Sequence, residues 1–531
     1  MNPSATKKIP SNTKKETAGG ADRAVRSRGK AKSSPRSAPA TGAGAAVATP
    51  RSEFAGAFVD LPDREKRAVA WGRELSSTLQ EPHAKPAMSP TLEQPRLRSK
   101  SLKQAKKFSA KNLLASDLNE ARSTLYLVRS SRVTAAQALN RSNVSCHPEA
   151  RKSQTALLKE YRKETRETAT SEINRWIEDQ LPGRPAAQES GAIGAGVVVP
   201  MTEAEAKRLS TDVPGLLLLR NRALTLISPT VLSSPVKSYP NDAGWHLEAI
   251  GMSAARRDGK SYSGRDVVIA LMDTGVQLDH PELAGKVRSA WKIRENPNTT
   301  DFDSLEIDSA HYDTDGHGTH VAGIICGQSA GVAPDSRIVS ILMMPQKMAT
   351  TFDFIRCLDW AAEHPEIGLV NFSAGVTPFS PDMMPFISDL IATGALPIIA
   401  VGNDGPNNTR SPGNYVDGLS VGSADAPGQK VSAFSGSGLQ LWNQTQYPVP
   451  DCVAPGAAVW SSAPGSRYVA MSGTSMATPV VTGIAACIIE QTGGMLTPLE
   501  LVDLITHSCR KLAGEADLRQ GAGLIQAPVR T

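Results

Sequence analysis

Four short apolar runs, each followed by a glycine-bearing turn, constrain this chain more than any other feature of its sequence. They are Val267–Met272 (VVIALM), Ile338–Met343 (IVSILM), Leu369–Phe372 and Pro397–Val401 (PIIAV). A strand wetted on one face alternates apolar and polar residues, whereas a continuous apolar run suits a strand covered on both faces. Helical patterns lie between these runs, which calls for parallel strands with crossover helices. Residues 243–531 are thus expected to form one α/β domain, a doubly wound parallel sheet with helices on both faces.

The remaining half is of two kinds. Residues 1–117 are rich in Ser, Ala, Pro, Lys and Arg and short of aromatics, so they read as a disordered tail unable to bury a core. The chain's formal charge of +6 belongs there: residues 1–50 hold ten Lys or Arg against Glu16 and Asp22, a net +8 that leaves −2 elsewhere. A nucleic-acid surface on the folded part is therefore not indicated. No run approaches the roughly 18 apolar residues that a membrane span needs. The basic start is followed by no apolar stretch, so a cytoplasmic monomer without a membrane partner is the default expectation, with secretion left open. Six scattered cysteines contain no CxxC pair, and Cys326 and Cys487 read as small buried hydrophobes.

From 118 to 230 the texture is that of a small α+β domain with the order βαβαβ. Ser123–Val128 is a strand candidate, and Ala150–Gln180 is a long charged helix carrying Leu157, Leu158, Tyr161, Ile173, Trp176 and Ile177. Gly196–Pro200 reads as a second strand. Thr202 and Glu205 have capping-box spacing ahead of a short helix that ends by Pro214. Leu216–Ile227 supplies one more strand or a pair, with helices covering one face of the sheet. A linker with Pro and Ser follows at 231–242.

Three segments at the ends of these elements carry groups suited to acyl transfer. Asp273, in VVIALMDTG, follows a buried strand, and Gly275 permits the turn after it. His317, in DTDGHGTHVAGIICG, is set by Gly316 and Gly318 at a helix start. Ser475, in MSGTSMATP, lies at the N-terminus of an apolar helix, where developing negative charge is stabilised. Each also has a plain structural reading: a helix-capping Asp, a metal-binding His317–His320 pair, a capping Ser. No third metal ligand has a convincing spacing, and an esterase would place its serine in GxSxG rather than GTSMA. Only their company separates an acid, a base and a nucleophile from three caps.

GTSMATP, DGHGTHVAG and DTGVQLDHPEL together resemble the three active-site signatures of the subtilisin-like serine proteases, in that family's order Asp, His, Ser. The resemblance runs from about 240 to 527, where QGAGLIQA is similar to the family's last strand-like segment. It implies a serine endopeptidase with polypeptide substrates, in which Ser475 is the nucleophile, His317 the general base and Asp273 its orienting acid. Asn403, in PIIAVGNDGPNN, matches the oxyanion-binding Asn, although Asn-Asp-Gly is also an ordinary turn. VNFSAG resembles the substrate-binding edge, so Ser373, Ala374 and Gly375 are expected to pair with an extended peptide. Ala400, Val401 and Gly402 would line the pocket for the residue before the cleaved bond, and Asp404 at its rim would favour a basic one. The loop after His320 is too short for the family's tight calcium site, so no metal or other cofactor is expected. The 118–230 segment resembles, more weakly, the family's propeptide, which implies an intramolecular inhibitory domain and cleavage within 228–242, though not at Tyr239–Pro240. A binding module that uses the groove without cleaving is the rival reading.

Overall fold

The computed structural model describes residues 124–131, 144–184, 186–187, 194–293, 305–307, 312–442 and 444–530. The tail expected at 1–117 lies outside the described residues. Strands β1 (Thr124–Ser130), β2 (Val197–Met201) and β3 (Leu216–Arg220) form an antiparallel sheet in the order β2-β1-β3. Period-two alternation divides their side chains. Tyr126, Val128, Val197, Val199 and Met201 pack with Ile173 and Trp176 of α1 (Pro148–Gln180) and with Leu209 of α2 (Glu203–Asp212). Leu127, Val198 and Leu219 go to the opposite face, into a cluster shared with the downstream domain. The sheet is therefore covered on both faces, by its own helices and by those of the downstream half.

The capping box of α2 is present in full. Thr202 Oγ1 accepts from Glu205 N at 3.2 Å, and Glu205 Oε2 accepts from Thr202 N at 2.7 Å. Helix α1 begins at Pro148, whose missing N–H costs nothing in a first turn. Its stripe is buried through Leu158, Tyr161, Ile173, Trp176 and Ile177, while Leu157 is 48% exposed. Leu216–Ile227 proves to be a pair rather than one strand. After β3 the chain leaves this sheet, and β4 (Ala223–Leu226) pairs with two strands of the downstream domain.

The downstream domain is built on eight strands. They are β6 (Val268–Asp273), β7 (Val287–Ile293), β8 (Leu305–Ile307), β9 (Arg337–Leu342), β11 (Ile367–Phe372), β13 (Leu396–Ala400), β14 (Leu419–Ala424) and β17 (Cys452–Pro455). Their order is β17-β14-β13-β11-β6-β9-β7-β8, all parallel except β8, which pairs antiparallel to β7 at the edge. All four apolar runs fall on these strands. Helices α4 (Thr351–Glu363) and α5 (Met384–Ala392) cover one face; α3 (His317–Cys326), α6 (Thr474–Thr492) and α7 (Pro498–His507) cover the other. Cys326 and Cys487 lie in that second core, and all six cysteines are free thiols. No helix among the described residues is long and apolar enough to cross a membrane.

Smaller strands frame this body. β10 (Met348–Thr350) and β12 (Ala374–Gly375) flank β4, and β5 (Thr230–Val231) joins the hairpin of β18 (Val459–Ala463) and β19 (Arg467–Ser472). A second hairpin pairs β15 (Gly438–Trp442) with β16 (Thr445–Val449). Near the C-terminus, Leu524 makes only isolated bridges, to Val453 and Arg510.

Candidate active site

In an open parallel sheet the carboxyl ends of the strands are where loops diverge and a ligand can sit. The neighbours β13, β11 and β6 end at Ala400, Phe372 and Asp273, so Asn403, Ser373 and Asp273 arrive side by side. Gly275, at φ +99°, turns the chain after Asp273, and a Cβ there would lie 2.0 Å from the Tyr312 carbonyl. A Cβ on Gly318 would lie 2.0 Å from the Gly275 carbonyl. These two glycines therefore allow the end of β6 and the start of α3 to touch.

That contact brings His317 Nδ1 to 2.7 Å from Asp273 Oδ1, with both side chains 1% exposed. Burial pushes the His317 pKa down, but the carboxylates of Asp273, Asp313 and Asp315 outweigh it and the net direction is up. His317 Nε2 has no hydrogen-bond partner among the described groups. His320 is held differently: Nε2 lies 3.1 Å from the Val469 carbonyl, and burial pushes its pKa down to about 3, so it stays neutral.

Asp313 was not singled out in the sequence, yet it ties the site together. Its Oδ1 accepts from Thr274 Oγ1 at 2.8 Å, Asp315 N at 3.0 Å and Gly316 N at 2.8 Å. Its Oδ2 accepts from Thr319 N at 2.8 Å and Thr319 Oγ1 at 2.6 Å. One carboxylate thus bridges the residue after Asp273 and the helix turn that carries His317. The available signal was an Asp ahead of a Gly-His helix start, which alone looks like any cap.

Ser475 is the second residue of α6 and is fully buried. Asn403 Oδ1 accepts from Thr474 N at 2.8 Å and Thr474 Oγ1 at 2.9 Å, which fixes the orientation of its amide beside that helix start. Ser475 Oγ donates to the carbonyl of Ile227 at 2.7 Å, and Asn403 Nδ2 donates to that of Ser228 at 3.2 Å. Both acceptors belong to the chain's own crossing from the upstream domain.

That crossing fills the groove. β4 lies antiparallel between β12 and β10, with Ala374 opposite Leu226, Gly375 opposite Thr225, and Ala349 opposite Leu224. Ile227 N donates to Ser373 O at 3.0 Å. Beyond Ser475, Thr230 and Val231 pair with Ser472 and Met471 of β19, and Val236 bridges Tyr468. Ser373, Ala374 and Gly375 thus hold an extended strand of the chain itself. The second wall, β10, went unseen because a three-residue strand has no periodicity to read.

The expected pocket residues divide. Gly402 borders the stem of Arg410, whose Cγ would lie 3.2 Å from a Cβ placed there, and Gly375 borders the same stem at 2.8 Å from Arg410 Cβ. Ala400 is the buried last residue of β13, and the Val401 side chain packs instead with Tyr447 and Val449. Asp404 is not free to meet a basic substrate residue: Arg410 Nε and Nη2 hold its two oxygens at 2.7 and 3.1 Å. That fork keeps the Asp404 pKa below the usual carboxylate range.

The subtilase family model matches residues 264–523. Thermitase of Thermoactinomyces vulgaris is 32% identical over 235 residues, 43% of this chain and 76% of thermitase. The serine protease AprX of Bacillus subtilis is 28% identical over 343 residues, 57% of this chain and 73% of AprX. The subtilisin-like protease PopC of Myxococcus xanthus is 32% identical over 288 residues, covering 49% of this chain and 59% of PopC.

Proposed function

Because the chain belongs to the subtilase family of serine endopeptidases, we propose that Asp273, His317, Ser475 and Asn403 form its hydrolytic machinery and that its own crossing segment occupies the groove as an uncut substrate. Ser475 Oγ attacks the peptide carbonyl carbon while His317 Nε2 takes its proton, and Asp273 holds the Nδ1–H of the imidazolium that results. The tetrahedral oxyanion is met by the Ser475 N–H and by Asn403 Nδ2, which must first leave the Ser228 carbonyl that it holds while the strand is uncut. His317 returns the proton to the leaving amine as the C–N bond breaks, which leaves an acyl-enzyme. Water, activated by the same imidazole, then releases the new carboxylate and restores Ser475.

The observation that carries this reading is the 2.7 Å hydrogen bond from Ser475 Oγ to the Ile227 carbonyl, within a strand gripped on both rims. It supports Ile227–Ser228 as the bond offered for cleavage, just ahead of the 228–242 stretch where sequence reading expected the cut. While the strand is bound, Ser475 donates to that carbonyl and His317 Nε2 is left unpartnered, an occupied and inhibited site. Intact masses of purified wild type and Ser475→Ala test it. Wild type should yield pieces ending at Ile227 and beginning at Ser228, and the variant should stay whole. An uncut wild type, or an equally cut variant, would end the proposal.

We also propose that the turn after α3 works without calcium. Glu282 braces this turn from within the chain, its Oε1 accepting from Ala330 N at 2.8 Å and also from Ser329 N, while Oε2 accepts from Tyr468 OH at 3.2 Å. Chelation should leave the melting temperature unchanged, and a large drop would reveal a bound ion.

A further inference from the structure

The main-chain grip on the crossing segment does not stop at β4. Thr351 N donates to Arg222 O at 2.9 Å, and Arg222 N donates to Thr351 Oγ1 at 3.2 Å. One residue earlier the chain already belongs to the upstream sheet, since Asn221 N donates to Leu125 O at 2.9 Å. The held stretch therefore runs from Arg222 to Ile227, whose carbonyl rests on Ser475, and Arg222 is the sixth residue back from the Ile227–Ser228 bond.

Side chains alternate along an extended strand, so Leu226, Leu224 and Arg222 share one side. Leu224 and Leu226 are 0% and 4% exposed and join the core cluster that contains Phe352, Met383 and Tyr415. A charge directed toward such a cluster needs a partner. Arg222 finds two: Nη2 donates to Asp382 Oδ2 and to Ser380 Oγ, each at 2.8 Å.

Asp382 lies in a single helical turn, Pro381–Met383, between β12 and α5. The catalytic domain itself holds that turn. Tyr415 OH donates to Ser380 O, Ser380 N donates to Ser411 Oγ at 2.9 Å, and Ser380 Oγ donates to Asp382 Oδ2 at 3.1 Å. Tyr415, Ser411 and Ser380 are 1%, 0% and 4% exposed, so the carboxylate is aimed by buried groups that owe nothing to Arg222.

Asp404 gives the contrast. Its cation, Arg410, is part of the catalytic domain and stays with it. Among the described residues, Asp382 pairs with no cation of the catalytic domain; its partner is Arg222 of the crossing. When the strand leaves the groove, Asp382 loses its counterion while Ser380 still fixes its direction. A carboxylate in that position favours whatever brings a positive charge to the place of Arg222.

Resting on the reading of the crossing as an uncut substrate, we infer that Asp382 and Ser380 form a distal binding site that selects a basic side chain at the sixth substrate residue before the cleaved bond. The pair is 38% and 31% exposed, so the selection is moderate and weakens with salt.

The test follows cleavage, by purified wild type, of an acetylated peptide with the sequence of residues 222–233 and of the same peptide with Arg222→Gln or Arg222→Glu. The arginine peptide should exceed the glutamine peptide about three- to tenfold in kcat/KM, mainly through KM, and high salt should shrink the difference. The glutamate peptide should be cut most slowly. Asp382→Asn should level the arginine and glutamine peptides, and Asp382→Lys should put the glutamate peptide first. A peptide of residues 224–233, too short to reach Asp382, supplies each variant's reference rate, so a general loss of activity cancels from the ratios. Melting curves check that both variants fold, and the wild-type series stands without them. Equal cleavage of the three long peptides overturns the inference and leaves the active-site reading intact, with Arg222 serving only to hold the crossing. A preference that survives both Asp382 variants overturns it too. If no peptide is cut, the active-site reading fails and takes the inference with it.

Discussion

Two stretches of the upstream half touch the catalytic domain, and they do so in opposite ways. From Ala223 to Val236 the contacts are mostly main chain to main chain: β4 between β10 and β12, then β5 on β19. Side chains past the serine face water, with Val231 58% and Leu232 54% exposed. From Val144 to Arg162 the contacts run from named side chains to main-chain carbonyls and carboxylates, and Arg151 is wholly enclosed. Main-chain pairing accepts almost any extended peptide, so the first contact can be taken over by a substrate. A guanidinium aimed at five carbonyls suits arginine's fork of donors, which makes the second contact specific.

Substitutions on the groove side should break this comparison hardest. Asn403→Leu removes the proposed oxyanion donor, and kcat should fall about 100- to 1,000-fold with KM nearly unchanged. Progress curves on a peptide substrate measure it, and an unchanged kcat would mean that the oxyanion is held elsewhere.

A smaller effect is expected from Asp313→Asn, which keeps the shape but opposes five donors with an amide. Loss of charge-assisted bonds to the turn bearing His317 should cost about 10- to 100-fold in kcat. The pH profile separates positioning from bulk damage. In the proposed role of base His317 must be neutral, so activity should fall as pH drops through its pKa. Asp273, Asp313 and Asp315 raise that pKa. Removing one charge therefore moves the acid limb to lower pH, and a limb that stays in place would reduce Asp313 to a structural role.

The smallest effect sharpens the comparison. Leu232→Lys alters a side chain 54% exposed on a segment held by its backbone, Leu232 N donating to Ala470 O at 2.9 Å. Stability should change by no more than about 0.5 kcal/mol, read from thermal melts. A large loss would show that side chains matter on the groove side after all.

The legible parts of the fold were those where one physical demand dominates. VVIALM, IVSILM and PIIAV are strands because only burial on both faces favours such runs. LSVGSA (β14) and CVAP (β17) carry no such signal, since Gly, Ser and Pro dilute it and their burial comes from neighbours. Within the candidate site, residues in distinctive motifs, such as Ser475 in GTSMATP, were readable. Asp313, β10 and the Asp404–Arg410 fork were not, because each consists of a pairing across loops.

The sequence by itself determined the chemistry on offer: an Asp after a buried strand, a His and a Ser at helix starts, an Asn after another strand, and glycines where backbones must touch. Those are local demands of burial, dihedral freedom and capping, and they are met within a few residues. Tertiary structure alone decided what surrounds them. It aligned three strand ends so that Asp273, Ser373 and Asn403 meet, laid Ile227 on Ser475, and buried Arg151 beneath two helix ends hundreds of residues away in sequence. Contacts at that separation carry no period, since what selects them is the shape and charge of a surface that exists only once the chain has folded.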